Sequence, residues 1–209
     1  MNIILASESP ARKALLARLG IDFAVIPANI DEAGLIRERG ITAPAEHVLA
    51  LCEAKARFVH EKATEPCVII AADTVIFHNG KILEKPIDLP DAFNMLKSLQ
   101  GQTHEVYTGV AIMHKQQQNF FCDTSIVRMR PLDDSEISAY VNTGEPLGRS
   151  GSYSISGLAA LLIDHVNGDV NSVVGLPLAR TCAVLKEMGI NLLEMLGSVD
   201  TSCGARLFG

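Results

Sequence analysis

The sequence predicts a mixed α/β fold whose sheet is largely, but not wholly, parallel. Three observations carry that reading. Strand-like and helix-like periodicities alternate along most of the chain. One nearly continuous apolar run over residues 67–77, rich in Val and Ile, reads as a strand covered on both faces. A turn at Asn79-Gly80 and a strand pair around a polar tip at residues 115–119 then break a pure βαβ rhythm. At 209 residues the chain fits one domain, or one domain with two lobes, able to bury about 70% of its unfolded surface.

Each element follows from its residues. Residues 2–5 form a short apolar strand that ends in a Ser-rich break, and Pro10 stands where a helix takes proline at its first position. Ala11, Ala14, Leu15 and Leu19 fall at helical spacing, and Gly20 closes that helix. A second strand is expected at 23–27, an irregular polar segment at 29–43, and a helix at 45–62 with Val48, Leu51, Cys52 and Phe58 on one face. After the hairpin into residues 81–84 come a helix at 91–99, paired strands at 105–114 and 120–130, a helix at 133–142, a strand at 158–165 and a closing helix at 178–188. Residues 1–196 are read as the domain, and the Gly- and Ser-containing tail, 197–209, as a flexible terminus.

Composition excludes several classes. Apolar residues make up 48% and charged residues 20%, which is globular rather than disordered usage. A net charge of −6 argues against binding a nucleic-acid backbone, which needs many phosphates neutralised by Lys and Arg. No apolar stretch approaches the roughly 18 residues that span a bilayer, and no charged signal-peptide start precedes the first strand. Cys52, Cys67, Cys122, Cys182 and Cys203 are an odd, scattered set without a C-x-x-C pair, so reduced thiols in a cytoplasmic protein are expected.

Two places carry chemistry. The loop Ser7-Glu8-Ser9-Pro10-Ala11-Arg12-Lys13 lies between a strand and a helix N-terminus, where backbone N–H groups and the helix dipole favour an anion, and it adds two hydroxyls and two cations. Read locally, Ser9 is equally a helix cap. Asp73 interrupts the apolar strand, where an unpaired carboxylate costs several kcal/mol; it calls for a metal, a cation or a reaction, unless it caps a strand end. Asp31 and Glu32 are a second acidic pair suited to a hard cation, or a solvated surface. Lys55 and Lys85 read as phosphate contacts or as surface lysines, and the lone His104 reads as structural.

The joint order of short motifs resembles the Maf family of nucleotide pyrophosphatases, from the N-terminus to about Gly189. The stretches that carry it are Leu5-Ala6-Ser7-Glu8-Ser9-Pro10-Ala11-Arg12, Ile30-Asp31-Glu32, Glu53-Ala54-Lys55-Ala56, Ala71-Ala72-Asp73-Thr74-Val75, Leu83-Glu84-Lys85-Pro86, Gly101-Gln102-Thr103-His104 with Thr108-Gly109, Thr143-Gly144-Glu145-Pro146, Gly151-Ser152-Tyr153 and Val174-Gly175-Leu176-Pro177. The resemblance implies a two-lobed fold like that of the inosine triphosphate pyrophosphatases, with the active-site cleft between the lobes, and a homodimer. It also implies a Mg²⁺ or Mn²⁺ requirement and release of pyrophosphate from a nucleoside triphosphate, with dTTP and UTP as the nearest branch. By the same resemblance Ser7, Ser9, Arg12, Lys55 and Lys85 hold the substrate, Asp31 or Glu32 helps hold the metal, and Asp73 is the catalytic carboxylate. Arg12 and Thr74 match positions tied to base selection. Two departures bear on that step: Ala11 stands where the family has a basic residue, and Ser156 stands where it has a glutamine that reads the pyrimidine. A serine is too short for the same contact, so the base preference shifts or relaxes. A nucleotide-binding regulatory protein linked to cell division is the second reading, and a phosphatase releasing single phosphates the third.

Overall fold

The computed structural model describes residues 2–197. In chain order the elements are β1 (Asn2–Leu5), α1 (Pro10–Ala17), β2 (Ala24–Val25), α2 (Glu32–Arg39), α3 (Pro44–His60), β3 (Cys67–His78), β4 (Lys81–Leu83), α4 (Leu89–Leu99), β5 (Thr103–His114), β6 (Gln117–Met129), α5 (Asp134–Val141), β7 (Ile163–Asn167), α6 (Val170–Val174), α7 (Leu178–Glu187) and α8 (Leu192–Gly197). Short 3₁₀ turns lie at Ser150–Ser152 and Leu158–Leu162. One seven-stranded sheet runs β2-β1-β3-β5-β6-β7, with β4 paired to β3 off that path.

The fold is mixed α/β with flanking helices, as the alternation of periodicities predicts, but the sheet is mainly antiparallel. Only the pairs β1–β2 and β1–β3 are parallel; the pairs β3–β4, β3–β5, β5–β6 and β6–β7 are antiparallel. The apolar run of β3 reports that both its faces are covered, which is so for ten of its residues, and says nothing about the direction of its neighbours.

Four further differences have physical causes. The segment 29–43 holds helix α2, which starts on Asp31, whose Oδ1 accepts from Gly34 N at 2.9 Å, and ends on the left-handed Gly40. With little apolar periodicity, its caps were the only legible signal. The tip at 115–119 shrinks to Lys115-Gln116, because Gln117, Gln118 and Asn119 continue the ladder as solvated strand positions. At 158–162, Ala159 and Leu162 are buried while Leu158 and Leu161 face solvent; that three-residue period makes a 3₁₀ turn, not a strand. Finally, α8 is a helix the sequence reading did not place: it buries Leu192 beside Met195 and Leu196 and takes in Gly197, the first residue of the expected tail. The rest of that tail expectation, 198–209, and Cys203 lie outside the described residues.

Three clusters of buried apolar residues surround β3. Val68, Ile70 and Ala72 point to a core with β1, α1 and α7, while Cys67, Ile69 and Ala71 point to one beneath α3. Beyond them Ile76 joins a third core with α4, α5 and β6. Asp73 and Thr74 are the positions where β3 passes from the first two cores to the third. Helix α3 approaches the sheet so closely that a Cβ on Gly109, the partner of Asp73 in the ladder, would lie 2.6 Å from the Val48 carbonyl oxygen. Gly109→Ala is therefore expected to lower stability by roughly 1–3 kcal/mol. An unchanged urea midpoint in that variant would contradict the close approach.

Candidate active site

The strand-to-helix geometry places the phosphate-like loop as its residues predict. Ser9 caps α1, its Oγ accepting from Arg12 N at 3.4 Å, with Pro10 at the first helical position. Ser7 Oγ is buried and accepts from Ser9 N at 3.2 Å and from Arg12 Nη1 at 3.2 Å. Arg12 reaches past its own helix: Nε donates to the Gly175 carbonyl at 2.8 Å and Nη2 donates to Thr74 Oγ1 at 3.0 Å. Gly175 has φ +125°, and a Cβ there would press on Arg12 Nε at 3.3 Å. Burial pulls the Arg12 guanidinium below its ordinary pKa, and the charges of Asp73 and Glu32 oppose that shift.

Asp73 is paired from the helix above it. Lys55 Nζ donates to Asp73 Oδ1 at 2.6 Å and also meets Glu32 Oε1 at 2.9 Å. The side chains of Lys55 and Asp73 are only 10% and 12% exposed, whereas Glu32 is 47% exposed and opens the pair to solvent. Cys52, one turn before Lys55 on α3, is no rival nucleophile: burial, then the Asp73 charge, push its thiol up to about 12.

These groups line one cleft of about 1290 Å³. That exceeds the roughly 300–1,000 Å³ usual for a drug-sized ligand and leaves room for an extended one. Ser7, Ser9, Arg12, Glu32, Lys55, Asp73, Thr74 and Lys85 all face it. Lys85 is exposed and has no ion-pair partner among the described residues. Two predicted residues do not line it. Asp31 spends its carboxylate on the α2 cap, so of the acidic pair Glu32 alone reaches the site. Ser156 is exposed and bonds to Ser154 Oγ at 3.0 Å; it is Ser154 that lines the cleft.

The opposite wall is the segment 147–154. Ser150 Oγ donates to the Thr74 carbonyl at 3.1 Å and Gly151 N to the Glu84 carbonyl at 3.0 Å, which fastens this segment across β3 and the end of β4. Glu145, in one of the matching motifs, is spent on structure: it accepts from Tyr140 Oη, Leu158 N and Ala159 N. Among the described residues no cluster of three His, Cys, Asp or Glu side chains is placed to hold a metal; the carboxylates lining the cleft are Glu8, Glu32, Asp73 and Glu84, of which Glu32 and Asp73 converge on the Lys55 ammonium.

With these groups gathered in one cleft, a family model described as Maf-like protein matches residues 2–188. The chain belongs to the Maf-like family. A dTTP/UTP pyrophosphatase of Thermoanaerobacter sp. (strain X514) is 39% identical over 196 residues, covering 92% of this chain and all of that protein. A dTTP/UTP pyrophosphatase of Pelotomaculum thermopropionicum is 43% identical over 194 residues, covering 92% of this chain and 99% of that protein. The crystal structure of a nucleoside-triphosphatase / dITP/XTP pyrophosphatase from Mycobacterium abscessus aligns with 63% of this chain and 76% of its own at 13% identity and a TM-score of 0.39.

Within this Maf-like chain the sequence reading missed Gly175, Thr108 and the lining cations Arg37 and Arg149. Gly175 and Thr108 lay inside matching motifs, whereas nothing local distinguishes Arg37 or Arg149 from solvated arginines. His104 proves structural: its Nε2 lies 2.7 Å from the hydroxyl of Tyr153, a lining residue, and its Nδ1 is buried without a partner. Burial, then neighbouring His78, lower its pKa from 6.5 to about 4. The unfolded chain therefore binds a proton at higher pH than the folded one, so the stabilisation is complete above pH 6.5 and is lost as pH falls toward 4. Over that window the wild type is expected to lose roughly 3 kcal/mol from this residue. His104→Gln should flatten the slope of unfolding free energy against pH, and an equal slope in both proteins would refute the assignment.

Proposed function

We propose that this chain hydrolyses a nucleoside triphosphate, dTTP, UTP or a modified pyrimidine nucleotide, to the monophosphate and pyrophosphate. The observation that carries it is the convergence of Asp73, Lys55 and Arg12 in one cleft with the Ser7 loop at the α1 N-terminus. Substrate identity is supported by the two relatives named as dTTP/UTP pyrophosphatases. In the reaction a water oxygen bonds to the α-phosphorus, the bond from that phosphorus to its bridging oxygen breaks, and pyrophosphate leaves with the bonding pair. Asp73 orients the water and takes its proton, which passes to solvent. Arg12, Lys55 and Lys85 stabilise the charge that gathers on the departing pyrophosphate.

A divalent cation fits the donor set. Asp73 and Glu32 both reach the same ammonium group, so two carboxylates face a common point, and such hard oxygen donors suit Mg²⁺ or Mn²⁺ completed by phosphate oxygens and water. Asp73 and Glu32 would hold it, and it would neutralise charge on the phosphates. Two lobes flanking the cleft, a homodimer and a cytoplasmic location belong to the same proposal. The cores on either side of Asp73 support the lobes. Among the described residues no helix is long and apolar enough to cross a membrane.

Asp73→Asn is expected to cut pyrophosphate release from UTP or dTTP by at least about a hundredfold while leaving the circular dichroism spectrum unchanged. Near-normal release by that variant under saturating Mg²⁺ would overturn the role of Asp73. Orthophosphate as the first product would overturn the reaction itself. Lys85→Met should lower kcat for pyrophosphate release more than it raises KM, which steady-state kinetics with UTP check.

A further inference from the structure

Behind Thr74 the cleft wall holds a second hydroxyl that solvent does not reach. Thr108 is 0% exposed and faces Thr74 in the β3–β5 register. Its Oγ1 donates to the Ser172 carbonyl at 2.8 Å and lies 2.9 Å from Thr74 Oγ1. A threonine hydroxyl has one proton, and a carbonyl oxygen can only accept. Thr108 has therefore spent its proton on Ser172 and can only accept from Thr74. Thr74 in turn must point its own proton inward, away from the cleft. On its other side Thr74 Oγ1 already accepts from Arg12 Nη2 at 3.0 Å. The bonds run one way, from Arg12 to Thr74 to Thr108 to Ser172, and Arg12 is tied a second time to the same segment through the Gly175 carbonyl.

We propose that Thr108 is a specificity-positioning residue: it fixes Thr74 Oγ1 as an acceptor, so the substrate group that meets Thr74 must bring its own hydrogen. For the identity of the substrate this rests on the nucleoside triphosphate reading above. In a pyrimidine nucleotide two such hydrogens can be removed one at a time, the ring N–H of a uracil-type base and the hydrogen of the sugar 2′-hydroxyl, while the 3′-hydroxyl is common to UTP, CTP and dUTP. The ring nitrogen that cytosine presents at the same place carries a lone pair instead. It would face the remaining lone pair of Thr74, with neither side able to supply a proton.

The test compares wild type, Thr108→Val and Thr108→Ser in pyrophosphate release from UTP, CTP and dUTP. The UTP to CTP ratio of kcat/KM reads the ring group, and the UTP to dUTP ratio reads the sugar hydroxyl. Thr108→Val frees the Thr74 proton to turn toward the cleft. It is expected to lower one of the two ratios by about tenfold, mostly through KM, while Thr108→Ser keeps the wild-type value. Ratios unchanged in Thr108→Val, even with slower turnover on every substrate, would reduce Thr108 to a structural role and overturn the proposal. So would a wild type that takes all three substrates alike. If circular dichroism shows that Thr108→Val does not fold, Thr108→Ala reads the same ratios. Calorimetric binding of the three nucleotides to the same proteins gives the ratios without turnover. A protein that binds but releases no pyrophosphate thus sinks the pyrophosphatase reading while still deciding the role of Thr108.

Discussion

The negative charge of Asp73 sits in a strand whose neighbours are almost all apolar and buried, and the site is organised around compensating it. An exposed pair such as Arg57 with Glu53 contributes about 0–1 kcal/mol. Removing one partner of a buried pair such as Lys55 with Asp73 costs about 3–5 kcal/mol. That difference requires α3 to lie where Lys55 can reach the strand. It does so because Gly109 lacks a side chain beneath Val48, and because small residues, Cys52 and Ala56, form its inner face. The close packing of one helix on a glycine and the charge balance of the site are thus a single constraint.

The compensation is incomplete in a useful way. Lys55 is shared between buried Asp73 and half-exposed Glu32, so the three groups form a charged cluster with one open side. Arg12 stands across the same space, held by Ser7, Thr74 and the Gly175 carbonyl before any ligand arrives. Charges fixed in this manner need little reorganisation when an anionic group enters, which is the condition for strong electrostatic stabilisation. The wall at 147–154 is held with equal firmness through the Thr74 and Glu84 carbonyls, while Glu145 clamps the turn that leads back into β7.

Local chemistry made parts of this legible. Pro10 after two serines marked the start of α1, a single Asp in a Val- and Ile-rich run marked the buried carboxylate that lines the cleft, and Asn79-Gly80 marked the β3–β4 turn. Helix α2 was obscured because it has caps but almost no apolar stripe, and the turn at 158–162 because a run of Leu and Ala reads as a strand until its burial period is known. Asp31 and Glu32 could not be separated by sequence. Which of two adjacent carboxylates caps a helix and which faces a cleft depends on where that helix starts.

By itself the sequence determined the alternation of elements, the anion-favouring loop, the out-of-place Asp73 and, through the order of its motifs, the family. Those features are written in residue type and short-range spacing, which local conformational preference and burial cost convert directly into structure. Only the tertiary structure decided the antiparallel pairing of β3 with β5 and of β6 with β7, the pairing of Lys55 with Asp73, the exclusion of Asp31 and Ser156 from the cleft lining, and the proton direction through Thr74 and Thr108. Apart from the local bonds of Asp31 and Ser156, these depend on groups brought together by the fold, up to 163 residues apart for Arg12 and Gly175, whose meeting is set by packing rather than by any local signal.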